Sequence, residues 1–100
     1  MELSELQLKN KIIMVTGANQ GIGKTASITY ASLGAKVILL GRSLESLEGV
    51  YDEIIGLNYT EPMISLMDLE KADGNDYQMI LENLMSEFGK LDGLLLNASI

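Results

Sequence analysis

An apolar, β-branched run, Lys11-Ile12-Ile13-Met14-Val15-Thr16, leads straight into Gly17, Gly21 and Gly23 and then into a helix-forming segment. Few local patterns restrict a chain more. The run predicts a strand, and the glycines let the backbone turn sharply and come close to a ligand. The start of the following helix offers unpaired N–H groups and a partial positive charge. A strand that turns through glycines into a helix builds a phosphate site, so this chain is expected to hold a nucleotide.

The rest of the chain alternates between short apolar runs and longer amphipathic ones. Ile12–Thr16 is the first predicted strand, and Gly21–Leu33 the first helix, ended by Gly34. Lys36–Leu40 is a nearly all-apolar second strand, as expected where both faces of a parallel sheet are covered. Ser43 can cap a helix over Leu44–Leu57, where Leu44, Leu47, Val50, Tyr51, Ile54 and Ile55 recur at helical spacing. Pro62 suits the lead-in to a third strand, Met63–Met67. A third helix, Asp76–Phe88, carries Tyr77, Ile80, Leu81, Leu84, Met85 and Phe88 on one side and ends at Gly89. Leu94–Ala98 is the fourth strand. The six methionines and four tyrosines are read mostly as core.

Strands alternating with helices of this length predict an α/β fold of right-handed βαβ units on a parallel sheet. The dinucleotide-binding arrangement would give the strand order 3-2-1-4, with the ligand at the switch between strands 1 and 4. Strand 4 would then be an apolar edge, which invites aggregation. Residues 1–100 are therefore expected to be the front part of a single longer domain, or to pair with something else.

Composition removes several classes of function. With no cysteine and no histidine, these residues hold no disulfide, no thiolate nucleophile, no zinc–sulfur or histidine metal site and no Ser–His–Asp triad. A formal charge of −7 disfavours nucleic acid and anionic membrane as partners, since both require a basic face. The acids of Glu45–Glu61 and Asp68–Asp92 read as solvated helix faces. The acidic start, Met1-Glu2-Leu3-Ser4-Glu5, is not a secretory signal, and the longest apolar runs are too short to span a bilayer. A cytoplasmic protein is expected.

Two ligands compete for the glycine turn. Gly17-x-x-x-Gly21-x-Gly23 suits a dinucleotide. The overlapping Ala18-Asn19-Gln20-Gly21-Ile22-Gly23-Lys24-Thr25 is one residue from a G-x-x-x-x-G-K-[ST] phosphate loop, with Asp68 after the third strand as a magnesium ligand. The mismatch is Ala18, where an alanine at positive φ would cost about 1 kcal/mol or more. Without a phosphate loop, Lys24 is a solvated residue of the first helical turn.

Thr16-Gly17-Ala18-Asn19-Gln20-Gly21-Ile22-Gly23 resembles the T-G-x-x-x-G-[IL]-G turn of the short-chain dehydrogenase/reductase family. The resemblance continues in register through Tyr30-Ala31-Ser32-Leu33-Gly34-Ala35-Lys36-Val37, through Asp68-Leu69, and through Phe88–Ala98, which is similar to the approach to that family's N-N-A-G motif. It implies the first half of a doubly wound, Rossmann-like NAD(P)-binding domain. Gly17, Gly21 and Gly23 would shape the turn, and Asn19, Gln20 and Ile22 would line it near the pyrophosphate and adenosine ribose. Asp68 would accept from the adenine amino group, helped by the Leu69 backbone. Asn97 and Ala98 would lie beside the riboses. The plain alternatives are a helix cap or surface acid for Asp68 and a strand-end turn for Asn97.

Charge bears on which dinucleotide fits. An NAD site places an acid after strand 2 to accept from the ribose 2′-hydroxyl. Here Leu39-Leu40-Gly41-Arg42-Ser43 has no acid and offers a guanidinium, which suits a phosphate dianion, with the Ser43 hydroxyl beside it. That favours NADP over NAD, the alternative being an ordinary solvent-facing arginine.

The chain also departs from the family. Leu96-Asn97-Ala98-Ser99 stands where N-N-A-G is usual, replacing an asparagine by leucine and a glycine by serine. The family transfers hydride between nicotinamide and an alcohol or carbonyl carbon, with a Tyr-x-x-x-Lys pair handling the proton. Tyr30, Tyr51, Tyr59 and Tyr77 are followed four places on by Gly34, Ile55, Met63 and Leu81, so no catalytic residue is assigned. The reading is thus the cofactor-binding half of an NADP-dependent oxidoreductase of unspecified small-molecule substrate. A non-catalytic dinucleotide-binding module and a nucleoside triphosphate-binding protein are the alternatives. Dimers and tetramers are common in the family, which leaves a homo-oligomer open.

Overall fold

The computed structural model describes residues 7–19, 21–68, 71 and 73–96. Strands β1 (Ile12–Thr16), β2 (Lys36–Gly41), β3 (Met63–Leu66) and β4 (Gly93–Leu95) alternate with helices α1 (Gly21–Ser32), α2 (Leu44–Gly56) and α3 (Gly74–Phe88). Every strand pair is parallel, and the order is β3-β2-β1-β4, as expected from the sequence. Val15 lies opposite Leu39 on one side and Leu95 on the other, which centres β1 in the sheet. Among the described residues no helix is long and apolar enough to cross a membrane.

Alternation along β1 and β2 divides the core into two layers. Ile13, Val15, Val37 and Leu39 pack with Ala31, Leu47, Val50 and Ile54 of α1 and α2 and the segments beside them. Ile12, Met14, Ile38 and Leu40 point to the opposite face, where Leu84 of α3 is buried against them. Small residues bring α1 close to the sheet: Gly23, Ser27 and Ala31 are its buried positions. The Ser27 hydroxyl donates to the Gly23 carbonyl at 2.7 Å, so the buried polar group is satisfied within the helix.

Local chemistry sets the helix ends. Gly34, at φ 98°, closes α1, with Ala35 N–H donating to Tyr30 O and Gly34 N–H to Ala31 O. This is a Schellman motif, in which the left-handed residue suits glycine. Asn58, at φ 66°, does the same for α2, which therefore ends before the predicted Leu57. Ser43 caps α2 as predicted, its hydroxyl oxygen accepting from Ser46 N–H. The third helix starts at Gly74 rather than Asp76, because Asp73 and Asp76 form a reciprocal capping box. Gly89, at φ 78°, ends it as expected.

Several expectations are corrected. Strand β3 stops at Leu66 and α1 at Ser32, each one residue early, and β4 covers Gly93–Leu95 instead of Leu94–Ala98. Residues Asn97 and Ala98 lie outside the described residues. Of the methionines and tyrosines read as mostly core, Met14 is buried and Tyr30, Tyr51, Met63 and Met67 pack partly buried against the core, whereas Tyr59, Tyr77, Met79 and Met85 are exposed. Of the predicted apolar side of α3, Leu84 is buried and Ile80 and Phe88 pack partly buried beside it, whereas Tyr77, Leu81 and Met85 are exposed. Lys24 is paired rather than merely solvated, its Nζ lying 3.3 Å from Glu53 Oε1 and linking α1 to α2.

Candidate nucleotide-binding site

The ends of the strands meet at one edge of the sheet, and backbone hydrogen bonds stitch their loops together. Ala18 N–H donates to Leu40 O at 3.4 Å, and Met67 N–H donates to Gly41 O at 2.7 Å. The buried Thr16 donates from Oγ1 to Leu95 O at 3.3 Å, bridging β1 to β4. The glycine turn, the Gly41–Ser43 segment and the Met67–Asp68 segment are thereby brought together. They lie where the chain order reverses, at the crevice an open α/β sheet offers to ligands.

Within the turn, Gly17 has φ 61° and Gly21 has φ 53°, both in the left-handed region. A Cβ at Gly21 would meet no heavy atom within 4 Å, so the strand–helix turn is open there. Ala18 is fully buried and stays out of the left-handed region, and among the described residues of the turn the left-handed ones, Gly17 and Gly21, fall at the dinucleotide spacing. Helix α1 has no acid in its first turn, whereas α2 carries Glu45 and α3 carries Asp76 there. Its N-terminal partial charge is the one left uncompensated by a first-turn carboxylate, which favours an anion.

Gly41 is a site residue that the sequence reading passed over. It is buried, and a Cβ there would lie 3.4 Å from Leu47 Cδ2 and 3.6 Å from Asn19 Oδ1. The Asn19 side chain thus lies in van der Waals reach of the end of β2. The available signal was a glycine closing an otherwise apolar strand. Thr16 was likewise passed over as a functional position, although its hydroxyl joins the two strands that flank the crevice.

Of the predicted site residues, Gly17, Asn19, Gly21, Ile22, Gly23, Arg42, Ser43 and Asp68 are described and sit at this edge. Gln20, Leu69, Asn97 and Ala98 lie outside the described residues. Ile22 and Arg42 are exposed. Asp68 does not cap α3, a role that Asp73 fills. It shares a shallow cavity of about 310 Å³ with Leu66, Met67, Met79 and Ile80 and with the charged Lys71 and Asp76.

Comparison with known proteins agrees with this geometry. The family model described as short chain dehydrogenase matches residues 11–100. An oxidoreductase of Escherichia coli K12, YciK, whose function is uncharacterized, is 39% identical over 93 residues, covering 93% of this chain and 37% of its own length. A structure assigned to the short chain dehydrogenases from Pseudomonas syringae superposes with a TM-score of 0.89 at 46% identity, covering 97% of this chain and 40% of that one. Another from Escherichia coli CFT073, solved with NADPH, gives a TM-score of 0.89 at 38% identity, covering 96% of this chain and 40% of that one. The chain thus spans about two-fifths of the length of each of these three relatives. With its turn, strand order and residues 11–100 all in agreement, the chain belongs to the short-chain dehydrogenase family.

Proposed function

We propose that these residues form the NADP(H)-holding part of an oxidoreductase that moves hydride between the nicotinamide and an alcohol or carbonyl carbon. The observation that carries the reading is the open turn, left-handed at Gly17 and Gly21, leading into a helix whose first turn holds no acid. In this reading the turn's amides, with Asn19, Gln20 and Ile22, hold the pyrophosphate and the adenosine ribose. Asp68 accepts from the adenine amino group beside the apolar side chains of Met79 and Ile80. Leu69, Asn97 and Ala98 keep the cofactor contacts that membership of the family implies.

The choice of NADP rests on Arg42 and Ser43. Arg42 follows β2 directly and is exposed, and no acid ends that strand. The oxygen of Ser43 accepts from Ser46 N–H, which leaves its hydroxyl hydrogen to donate to a 2′-phosphate. The NADPH-bound relative from Escherichia coli supports the same choice.

Bound nicotinamide would supply or accept the hydride. No tyrosine here has a lysine four residues later, so none of these residues is assigned the proton-handling role.

Titration calorimetry tests the proposal. NADPH should bind and Mg-ATP should not. Arg42→Asp should weaken NADPH by roughly 10–100-fold, the loss of one to two charge-assisted hydrogen bonds, and should change NADH only a few-fold. Equal loss of both would remove Arg42 from 2′-phosphate recognition, and binding of Mg-ATP alone would end the dinucleotide reading.

A further inference from the structure

We draw no further inference here: the strongest candidate, the open apolar groove of about 590 Å³ along α1 between Ile22 and Tyr30, carries nothing because nothing in the structure shows what covers it.

Discussion

The two faces of the sheet are built from equally apolar strands but are covered unequally. On one face, α1 and α2 bury Ile13, Val15, Val37 and Leu39, and Leu47 and Ile54 are fully enclosed against them. On the other face, α3 contributes one buried residue, Leu84. Its neighbours Tyr77, Leu81 and Met85 are exposed, as is Leu94, which β4 places beside Met14 on that same face. Apolar periodicity thus reports which residues a helix would bury given a partner, not whether the partner is there. Two helices close the first face, and the second is closed by one, with Ile80 and Phe88 partly buried beside Leu84.

The largest effects should fall on the covered face. Leu47→Ala or Ile54→Ala removes a fully buried side chain and leaves a cavity, so each should cost about 2–5 kcal/mol in urea denaturation. Leu81→Ala or Met85→Ala deletes a side chain already open to water and should stay within about 0.5–1 kcal/mol. Similar losses from Leu81 and Leu47 would show that the second face is packed as tightly as the first.

Next comes the local support of α3. Asp73→Ala removes an oxygen that accepts from Asn75 and Asp76 N–H, and with it the capping box, and should cost about 1 kcal/mol. Because little packing compensates, the loss should appear first in hydrogen exchange across Gly74–Phe88, with α2 unaffected. Protection lost equally from both helices would contradict a locally supported α3.

These contrasts also explain what was legible in the sequence. Gly34, Ser43 and Gly89 were readable as helix ends because a glycine or hydroxyl at a terminus acts on its own few neighbours. The strand order followed from the βαβ rhythm, and the glycine turn from the spacing of three residues. The outward-facing Leu81 and Met85 were not readable, since their exposure depends on what stands opposite α3. The neighbourhood of Gly41 was not readable because Asn19 is distant from it in sequence, nor the pairing of Lys24, whose partner Glu53 is on another helix. The Asp73–Asp76 box was within reach of a local reading, but it sits in a polar stretch where several acids could start a helix.

Asp92 fastens β4 to β1 at the end of the sheet away from the candidate site. Its carboxylate accepts from Ile12 N–H at 2.7 Å while its own N–H donates to Ile12 O at 2.8 Å, and Lys90 Nζ lies 3.2 Å away. The Ile12 N–H holds the carboxyl below the usual aspartate range, opposed in part by desolvation and helped by the charges of Lys90 and Lys11. A folded pKa below the unfolded one contributes stability that is present above the unfolded value, about 4, and is lost as pH falls through the folded value. Asp92→Asn should therefore be less stable than the native chain at pH 6, and the gap should narrow below pH 4. Denaturation midpoints between pH 6 and pH 3 would check this, and a gap independent of pH would show that the charge of Asp92 plays no part.

The smallest effect should come from Tyr51, at the rim of the well-packed face. Its ring packs against the covered cluster, and its hydroxyl donates to the Glu61 carboxylate in front of β3. That hydrogen bond, then burial and the charges of Glu61 and Asp52, raise the phenol above its ordinary pKa of 10.0. A raised folded pKa means the contribution is complete below the unfolded value and disappears as pH climbs through the folded one. The pair is solvent-exposed, and exposed polar contacts contribute little next to the ring's packing, which phenylalanine keeps. Tyr51→Phe should thus match the native chain at pH 7, while phenolate absorbance in the native protein should show one tyrosine ionising later than in the unfolded chain. If no tyrosine ionises later in the native protein than in the unfolded chain, the Tyr51–Glu61 contact does not hold in solution.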